Sequence, residues 1–280
     1  MAGLNDVKTR IVSVTNTRQI TKAMNLVATI KYKKAKENTE HMRTYLKAYE
    51  NVVKNIYNYR IEKARSELTD IREINKSLAV VISSDRGLCG AYNSSILKFA
   101  AQKMEGKAFR VITVGNKARD FFRKTGHELL ENYENISDTV EYHDARIIAL
   151  SIMRLYRKME IDEVIVYYNR FESTIKYTPT ELGMLPLVLG EPTGDSNYIY
   201  EPSPEDIFDA IASGYIVNRL YTILLEASAS EHSSRMTSMS SATDNADKMI
   251  EELTLQYNRA RQASITNEIS EIVGGTEALK

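Results

Sequence analysis

The sequence predicts an α/β protein: two long terminal helices form an antiparallel coiled coil, and the middle forms an open, mostly parallel sheet with helices on its faces. Three observations carry this. Glycine is absent between Gly3 and Gly87 and again between Gly214 and Gly274, while all five prolines lie from Pro179 to Pro204. Unbroken ends of that length read as long helices. The middle alternates strand, glycine-bearing turn and helix, the signature of a parallel sheet. The N-terminal end carries apolar residues at 3-4-3 spacing, the seam of a coiled coil.

Bulk properties narrow the class. The 280 residues suffice for one large domain or two modest ones, and 43% hydrophobic with 26% charged residues is ordinary for a soluble folded chain. The longest apolar runs, such as "LAVVI" (78–82), are far too short to cross a bilayer, and "MAGLNDVKTR" lacks the apolar core of a signal peptide. A single cysteine excludes an intrachain disulfide and fits a reducing compartment. The expectation is a cytoplasmic protein that meets a membrane only through partners. The balance of 37 basic and 37 acidic residues argues against a protein built to bind nucleic acid. Charge is uneven, however: residues 1–36 carry eight Lys or Arg and one acid, while 128–144 carry six acids and no Lys or Arg. The basic end is either a solvated helix face or a dock for an acidic partner.

The elements follow in order, with divisions expected at 1–60, 76–200 and 204–273. The first helix runs from about Leu4 to Tyr59, roughly 80 Å at the helical rise. Its seam is Leu4, Val7, Ile11 and Val14, then slips by a three-residue stammer to Thr17, Ile20, Met24 and Val27. "SLAVVISSDRGLCGAYNSSILKFAAQKM" is strand, turn and helix, and "FRVITVGNKARDFFRKTG" repeats the order with a strand over 109–114 and a turn at Gly115. A third helix covers 145–159, "DEVIVYYNRF" is a third strand, and "STIKYTPTEL" is an edge strand because Pro179 cannot donate within a central one. The second long helix runs from Glu205 to Ile272, with Ser203 as N-cap, Pro204 in its first turn and "IVGG" ending it.

The chemistry-bearing residues point away from catalysis. "SSDRGLCG" between a strand and a helix invites a phosphate-binding reading. Its Gly-x-x-Gly spacing matches neither dinucleotide nor P-loop patterns, and the alternative is a tight turn in which Gly87 and Gly90 allow close packing. Asp85 and Arg86 then form a local ion pair or meet a partner. His41, His127, His143 and His232 lie on different elements, with no metal-ligand spacing to Cys89, which reads as a small buried residue.

One stretch resists an ordinary explanation. From Ser228 to Ala246 the helix is mostly Ser, Thr, Ala and Met, without the wide apolar stripe of a core helix. Either it is a thin rod inside a sleeve of other polypeptides that must not grip it permanently, or it belongs to a plain antiparallel coiled coil with a weak seam.

Three long motifs then carry a resemblance. "RIVSVTNTRQITKAMNLVATIKYKKAK", "SSDRGLCGAYN" and "ATDNADKMIEELTLQYNRARQASITNEISEIVGG", in that order, resemble the signatures of the gamma-subunit family of F-type ATP synthases across essentially the whole chain. The start "MAGL", without a transit segment, fits a bacterial member. The resemblance implies a coiled-coil shaft on a Rossmann-like α/β domain. The shaft stands inside a hexamer of alternating alpha and beta subunits, and the globule meets the epsilon subunit and the c-ring. It further implies a non-catalytic rotor, with no cofactor, peripheral on the cytoplasmic face of the membrane, coupling ion-driven rotation to ATP synthesis or hydrolysis.

Residues follow by motif. Lys22 and Met24 match positions facing the beta subunit, as do Arg259, Arg261, Gln262, Thr266, Glu268 and Glu271. Tyr198, Tyr200 and Glu201 resemble the c-ring-facing loop. Two departures stand out: Asn25 follows "ITKAM" where many relatives carry an acid, and "SMSSATDNA" is unusually serine-rich. The rival readings are a nucleotide-binding enzyme with helical arms, distinguished by ATP hydrolysis by the chain alone, and a homodimeric coiled-coil scaffold, distinguished by a stable dimer in light scattering.

Overall fold

A computed structural model of the chain describes residues 4–59, 66–191, 201 and 204–278. Helix α1 runs Leu4–Tyr59 and helix α5 Pro204–Ala278. The chain divides into two compact units, residues 28–235 and residues 1–27 with 236–280.

The larger unit holds a five-stranded sheet in the order β3-β2-β1-β4-β5. Strands β1 (Ser77–Ile82), β2 (Phe109–Val114), β3 (Glu128–Tyr133) and β4 (Glu163–Ser173) are parallel to their neighbours, and β5 (Lys176–Leu185) closes the edge antiparallel to β4. Strand β1 is central and buried on both faces, which is why "SLAVVI" reads as a continuous apolar run. Leu78, Val80 and Ile82 point into a core shared with α4 (Tyr142–Arg157), with Val53 and Ile56 of α1 and with Phe208, Ile216 and Leu220 of α5. Ala79 and Val81 point to the other face, covered by Ile96 and Ala100 of α2 (Tyr92–Met104) and Phe122 of α3 (Asn116–Lys124). Pro179 sits on the edge strand, as its missing donor requires.

"ELLENY" is a strand that sequence reasoning passed over. Its side chains are half-buried or exposed rather than alternating, because β3 is the opposite edge of the sheet. The helix expected over 145–159 begins three residues earlier, at Tyr142. Helix α5 does not stop at "IVGG": neither Gly274 nor Gly275 takes a positive φ, and the helix continues to Ala278. A glycine inside a helix costs only about 1 kcal/mol, too little to end one unless the chain turns left-handed there. In the "SSDRGLCG" turn, Gly87 has open space around its α-carbon and no positive φ, while Gly90 (φ 56°) and Leu88 (φ 61°) make the turn. The close approach is at Gly115, where φ is 94° and an added Cβ would sit 2.4 Å from the Ser83 carbonyl oxygen.

The seam of α1 also differs from the sequence reading. In the smaller unit its inward positions are Leu4, Val7, Ile11, Val14, Arg18, Thr21 and Asn25. In the larger unit they are Ala28, Tyr32, Ala35, Thr39, Met42, Leu46, Tyr49, Val53 and Ile56. The 3-4 spacing never slips, so there is no stammer. Ile20 and Val27, taken for seam residues, are 60% and 52% exposed. The seam turns polar at Arg18, Thr21 and Asn25, while the apolar residues beside them face outward. In the smaller unit α1 and α5 pair antiparallel: Asn25 Nδ2 donates to the Met236 carbonyl (3.0 Å), Thr243 Oγ1 to Thr21 Oγ1 (2.9 Å), and Arg18 Nε lies 2.8 Å from Asp247 Oδ1. The matching positions on α5 are Met239, Thr243, Ala246, Ile250, Leu253, Tyr257, Ala260 and Ser264, again at 3-4 spacing. From Ile265 to Gly275 every side chain is exposed.

Candidate partner interface

The residues that the motifs match to the beta-facing surface lie on two helical surfaces of the smaller unit. Lys22 is exposed and Met24 half-buried. Lys22 lines a shallow groove of about 610 Å³ with Arg18, Asn25, Leu26, Thr243 and Asp247. Asn25 uses its amide to tie the two helices through the Met236 carbonyl, a bond that a carboxylate at this position could not donate. Arg18 and Asp247 are 38% and 50% exposed, so their pair contributes only about 0–1 kcal/mol.

On α5, Arg259, Arg261, Gln262, Thr266, Glu268 and Glu271 are all exposed. Arg261 and Glu268 are two turns apart on one face, and Glu271 adjoins Glu268 at i+3. Arg259 falls on the nearly opposite face, because residues two apart on a helix point away from each other. The patch is therefore a band around the helix end, not a single face. Thr266 Oγ1 donates to the Gln262 carbonyl (2.9 Å) and Ser264 Oγ to Glu268 Oε1 (3.1 Å), which fixes these polar groups along the shaft. Tyr198 and Tyr200 lie outside the described residues, as does the proposed N-cap Ser203; Glu201 is exposed.

Sequence reasoning missed the apolar component of this surface. Ile265, Ile269 and Ile272 are 47%, 56% and 68% exposed, and their i, i+4, i+7 spacing places them on one stripe. Val12, Ile20, Leu26 and Val27 of α1 are each more than half exposed as well. A run of large apolar groups left in water marks an interaction surface. The spacing is legible in "SITNEISEIV", where polar residues between the isoleucines mask the stripe.

The "SSDRGLCGAYN" segment works as a structural turn. Ser83 Oγ accepts from the Ala118 backbone (2.8 Å) and Asp85 Oδ1 from the Asn116 backbone (3.2 Å), capping α3. Ser84 binds Asn93 through its backbone N–H (3.0 Å), and Asn93 Nδ2 donates to Ser84 Oγ (2.7 Å). Asp85 and Arg86 do not pair with each other: Asp85 also accepts from Ser137 Oγ (3.0 Å), and Arg86 approaches Asp138 at 3.7 Å. Cys89 is buried, and burial pushes its thiol pKa up, which makes it an inert packing group.

Behind this turn lies a buried polar belt on α5, invisible to sequence reasoning because it looked like a coiled-coil surface. Every residue from Thr222 to Ser233 is buried. Glu231 Oε1 and Arg235 Nη1 pair at 2.8 Å with side chains only 2% and 10% exposed. Burial raises the Glu231 carboxyl pKa against the opposing pull of Arg235. Burial, reinforced by Arg235 and Lys31, holds the His232 imidazole down to about 4. Lys31 Nζ lies 2.9 Å from Asp138 Oδ1, and this contact lowers the Asp138 carboxyl pKa. One basic residue of the N-terminal segment thus meets the acidic 128–144 segment within the chain itself.

Among the described residues no cluster of three or more His, Cys, Asp or Glu could hold a metal ion, and no helix is long and apolar enough to cross a membrane. A family model described as ATP synthase matches residues 3–279. The ATP synthase gamma chain of Halothermothrix orenii is 43% identical over 291 residues, covering 100% of both chains. That of Alkaliphilus metalliredigens is 42% identical over 290 residues, covering 99% of each. Among solved structures, a chain of the Tetrahymena thermophila mitochondrial ATP synthase central stalk and c-ring is similar at 26% identity and a TM-score of 0.63, over 80% of this chain and 99% of that one. A chain of the Euglena gracilis mitochondrial ATP synthase rotor shares the fold at 16% identity and a TM-score of 0.70, over 94% and 98%. Matched nearly end to end, and with bacterial gamma chains among its relatives, this chain belongs to the ATP synthase family.

Proposed function

We propose that the chain is the central rotor of an F-type ATP synthase, coupling ion-driven rotation of a c-ring to conformational change in the catalytic beta subunits. The observation that carries the reading is the end of α5. From Ile265 on it leaves the seam of its own coiled coil, yet it keeps a stripe of isoleucines about half or more exposed. That end is suited to a sleeve made by other polypeptides. A sleeve of alternating alpha and beta subunits would meet a different chemical face at each orientation, and only such unequal contact shifts a conformational equilibrium.

In this reading Lys22, Met24, Arg259, Arg261, Gln262, Thr266, Glu268 and Glu271 touch the beta subunits, and Tyr198, Tyr200 and Glu201 face the c-ring. Because Arg259 and Arg261 look in opposite directions, they engage different subunits at the same moment. The terminal segments 1–60 and 204–273 act as the shaft and 76–200 as the foot that also binds epsilon. The subunit makes and breaks no covalent bonds. Its place is the cytoplasmic face of the membrane, held there by partners.

Reconstitution with purified alpha and beta subunits tests this. The expected product contains one copy of the chain per hexamer, and the chain alone hydrolyses no ATP. A product with equal numbers of this chain and beta, or ATP turnover by the chain alone, would defeat the reading.

A further inference from the structure

The serine-rich belt of α5 lies across the carboxyl ends of the sheet strands, where loop and strand-end carbonyls face it. Ser230 Oγ donates to the Asn169 carbonyl in β4 (3.1 Å), and Ser233 Oγ to the Thr174 carbonyl just beyond it. Ser234 Oγ donates to the Cys89 carbonyl (2.7 Å), and Arg235 Nη2 to that of Gly87 (3.4 Å). Ser228 Oγ donates to the Ser137 carbonyl (3.0 Å) in the loop after β3. Helix α1 is held by the same segments: Tyr32 shares a hydrogen bond with Thr174 (2.8 Å), Arg43 donates to the Phe171 carbonyl (2.7 Å), and Lys31 pairs with Asp138.

The arrangement has a mechanical consequence. Ser228 and Arg235, seven residues apart, lie on one side of α5, while Ser230 lies roughly 200° around the helix from Ser228. The helix is therefore gripped from opposite sides. Apolar packing is non-directional and tolerates slip about the helix axis, but hydrogen bonds weaken steeply with angle. Small side chains are needed because the helix backbone must come close enough for a hydroxyl to reach a carbonyl. This also accounts for the missing apolar stripe at 228–235: the surface covering that stretch is the chain's own, and it is polar.

We infer that this hydroxyl clasp is the torsional joint of the rotor, and that Ser230, Ser233 and Ser234 are positioning residues that key α5 to the sheet so that turning the globule turns the helix. The inference rests on the rotor reading above and adds the residues that carry the load.

The test uses the whole complex with Ser230→Ala, Ser233→Ala and Ser234→Ala combined, reconstituted in lipid vesicles. ATP hydrolysis and ATP-driven ion uptake are measured together, with a pH-sensitive dye and a sodium tracer as separate arms. Rotational compliance is read from a bead on the immobilised complex. Ser241→Ala, on an exposed part of the same helix, is the control. The clasp predicts fewer ions moved per ATP and a softer rotor, with hydrolysis within about twofold of the parent; a residue that only stabilises the fold would lower the amount of active complex and leave ions per ATP and compliance unchanged. If the triple variant does not assemble, Ser234→Ala, at a half-buried position, carries the test, with Ser234→Thr restoring the hydroxyl and the coupling. Unchanged ions per ATP and unchanged compliance, in a parent complex that pumps, overturn the clasp alone. A parent complex that hydrolyses ATP without moving ions overturns the rotor reading, and the clasp with it.

Discussion

Replacing His232 tests the buried belt quantitatively. The residue is 2% exposed, and burial together with Arg235 and Lys31 holds its pKa at about 4. In the unfolded chain an imidazole titrates near 6.5. The folded pKa is depressed, so the unfolded state takes up the proton first as pH falls. The associated stability is present above about pH 6.5 and is lost progressively down to about pH 4. A gap of about 2.5 units at 1.36 kcal/mol each gives about 3 kcal/mol in all, of which about 2 kcal/mol is lost by pH 5. The neighbouring carboxyls contribute with their own signs. Asp138, lowered by Lys31, loses stability at still lower pH. Glu231, raised by burial, gains stability as pH falls. The comparison is therefore between parent and His232→Gln rather than with pH alone. Urea unfolding of the full chain, followed by circular dichroism between about pH 7.5 and pH 5, should show the parent losing about 2 kcal/mol more than the variant over that interval. Parallel pH profiles for the two proteins would refute the argument that His232 is held neutral.

Other substitutions probe the remaining features. Gly115→Ala places a Cβ 2.4 Å from the Ser83 carbonyl oxygen at φ 94° and should cost about 2–4 kcal/mol in urea unfolding. The uninterrupted seam predicts that Ile20→Ser, at a position 60% exposed, changes the stability of the isolated chain by less than about 0.5 kcal/mol. Ile56→Ala, at a position 1% exposed, should instead cost about 2–5 kcal/mol. A stammered seam would bring Ile20 inward and give it a large cost. Arg43→Ala leaves Glu226, whose side chain is 9% exposed, without its 2.7 Å partner. The expected loss is about 2 kcal/mol, below the full cost of breaking a buried pair because Arg43 itself is 40% exposed. Thermal melting of the variant should detect it.

Sequence legibility followed the physics of each element. The long helices were readable because no proline and few glycines interrupt them, although Gly214, Gly274 and Gly275 lie inside α5 and did not mark its end; "SLAVVI" and "FRVITV" were readable because a buried parallel strand is mostly apolar. Strand β3 was not, since an edge strand with acidic outer positions has no period to detect. The phase of the α1 seam was misread for a related reason. Arg18, Thr21 and Asn25 occupy inward positions in polar pairings with α5, whereas Ile20 and Val27 face outward. Hydrophobicity there points outward and not to the chain's own interior. The clasp was least legible of all. A serine reaching a strand-end carbonyl and a serine facing water look alike in sequence, and only the tertiary approach of Asn169 and Thr174 separates them.

The most direct test of the account is single-molecule rotation. With the alpha–beta hexamer fixed to a surface and a bead attached through Ile175→Cys, on the exposed turn between β4 and β5, added ATP should drive the bead around continuously in one direction. Sustained ATP hydrolysis by the same immobilised complexes, with the bead held still or fluctuating without net direction, would contradict the claim that this chain carries rotation between the hexamer and the membrane.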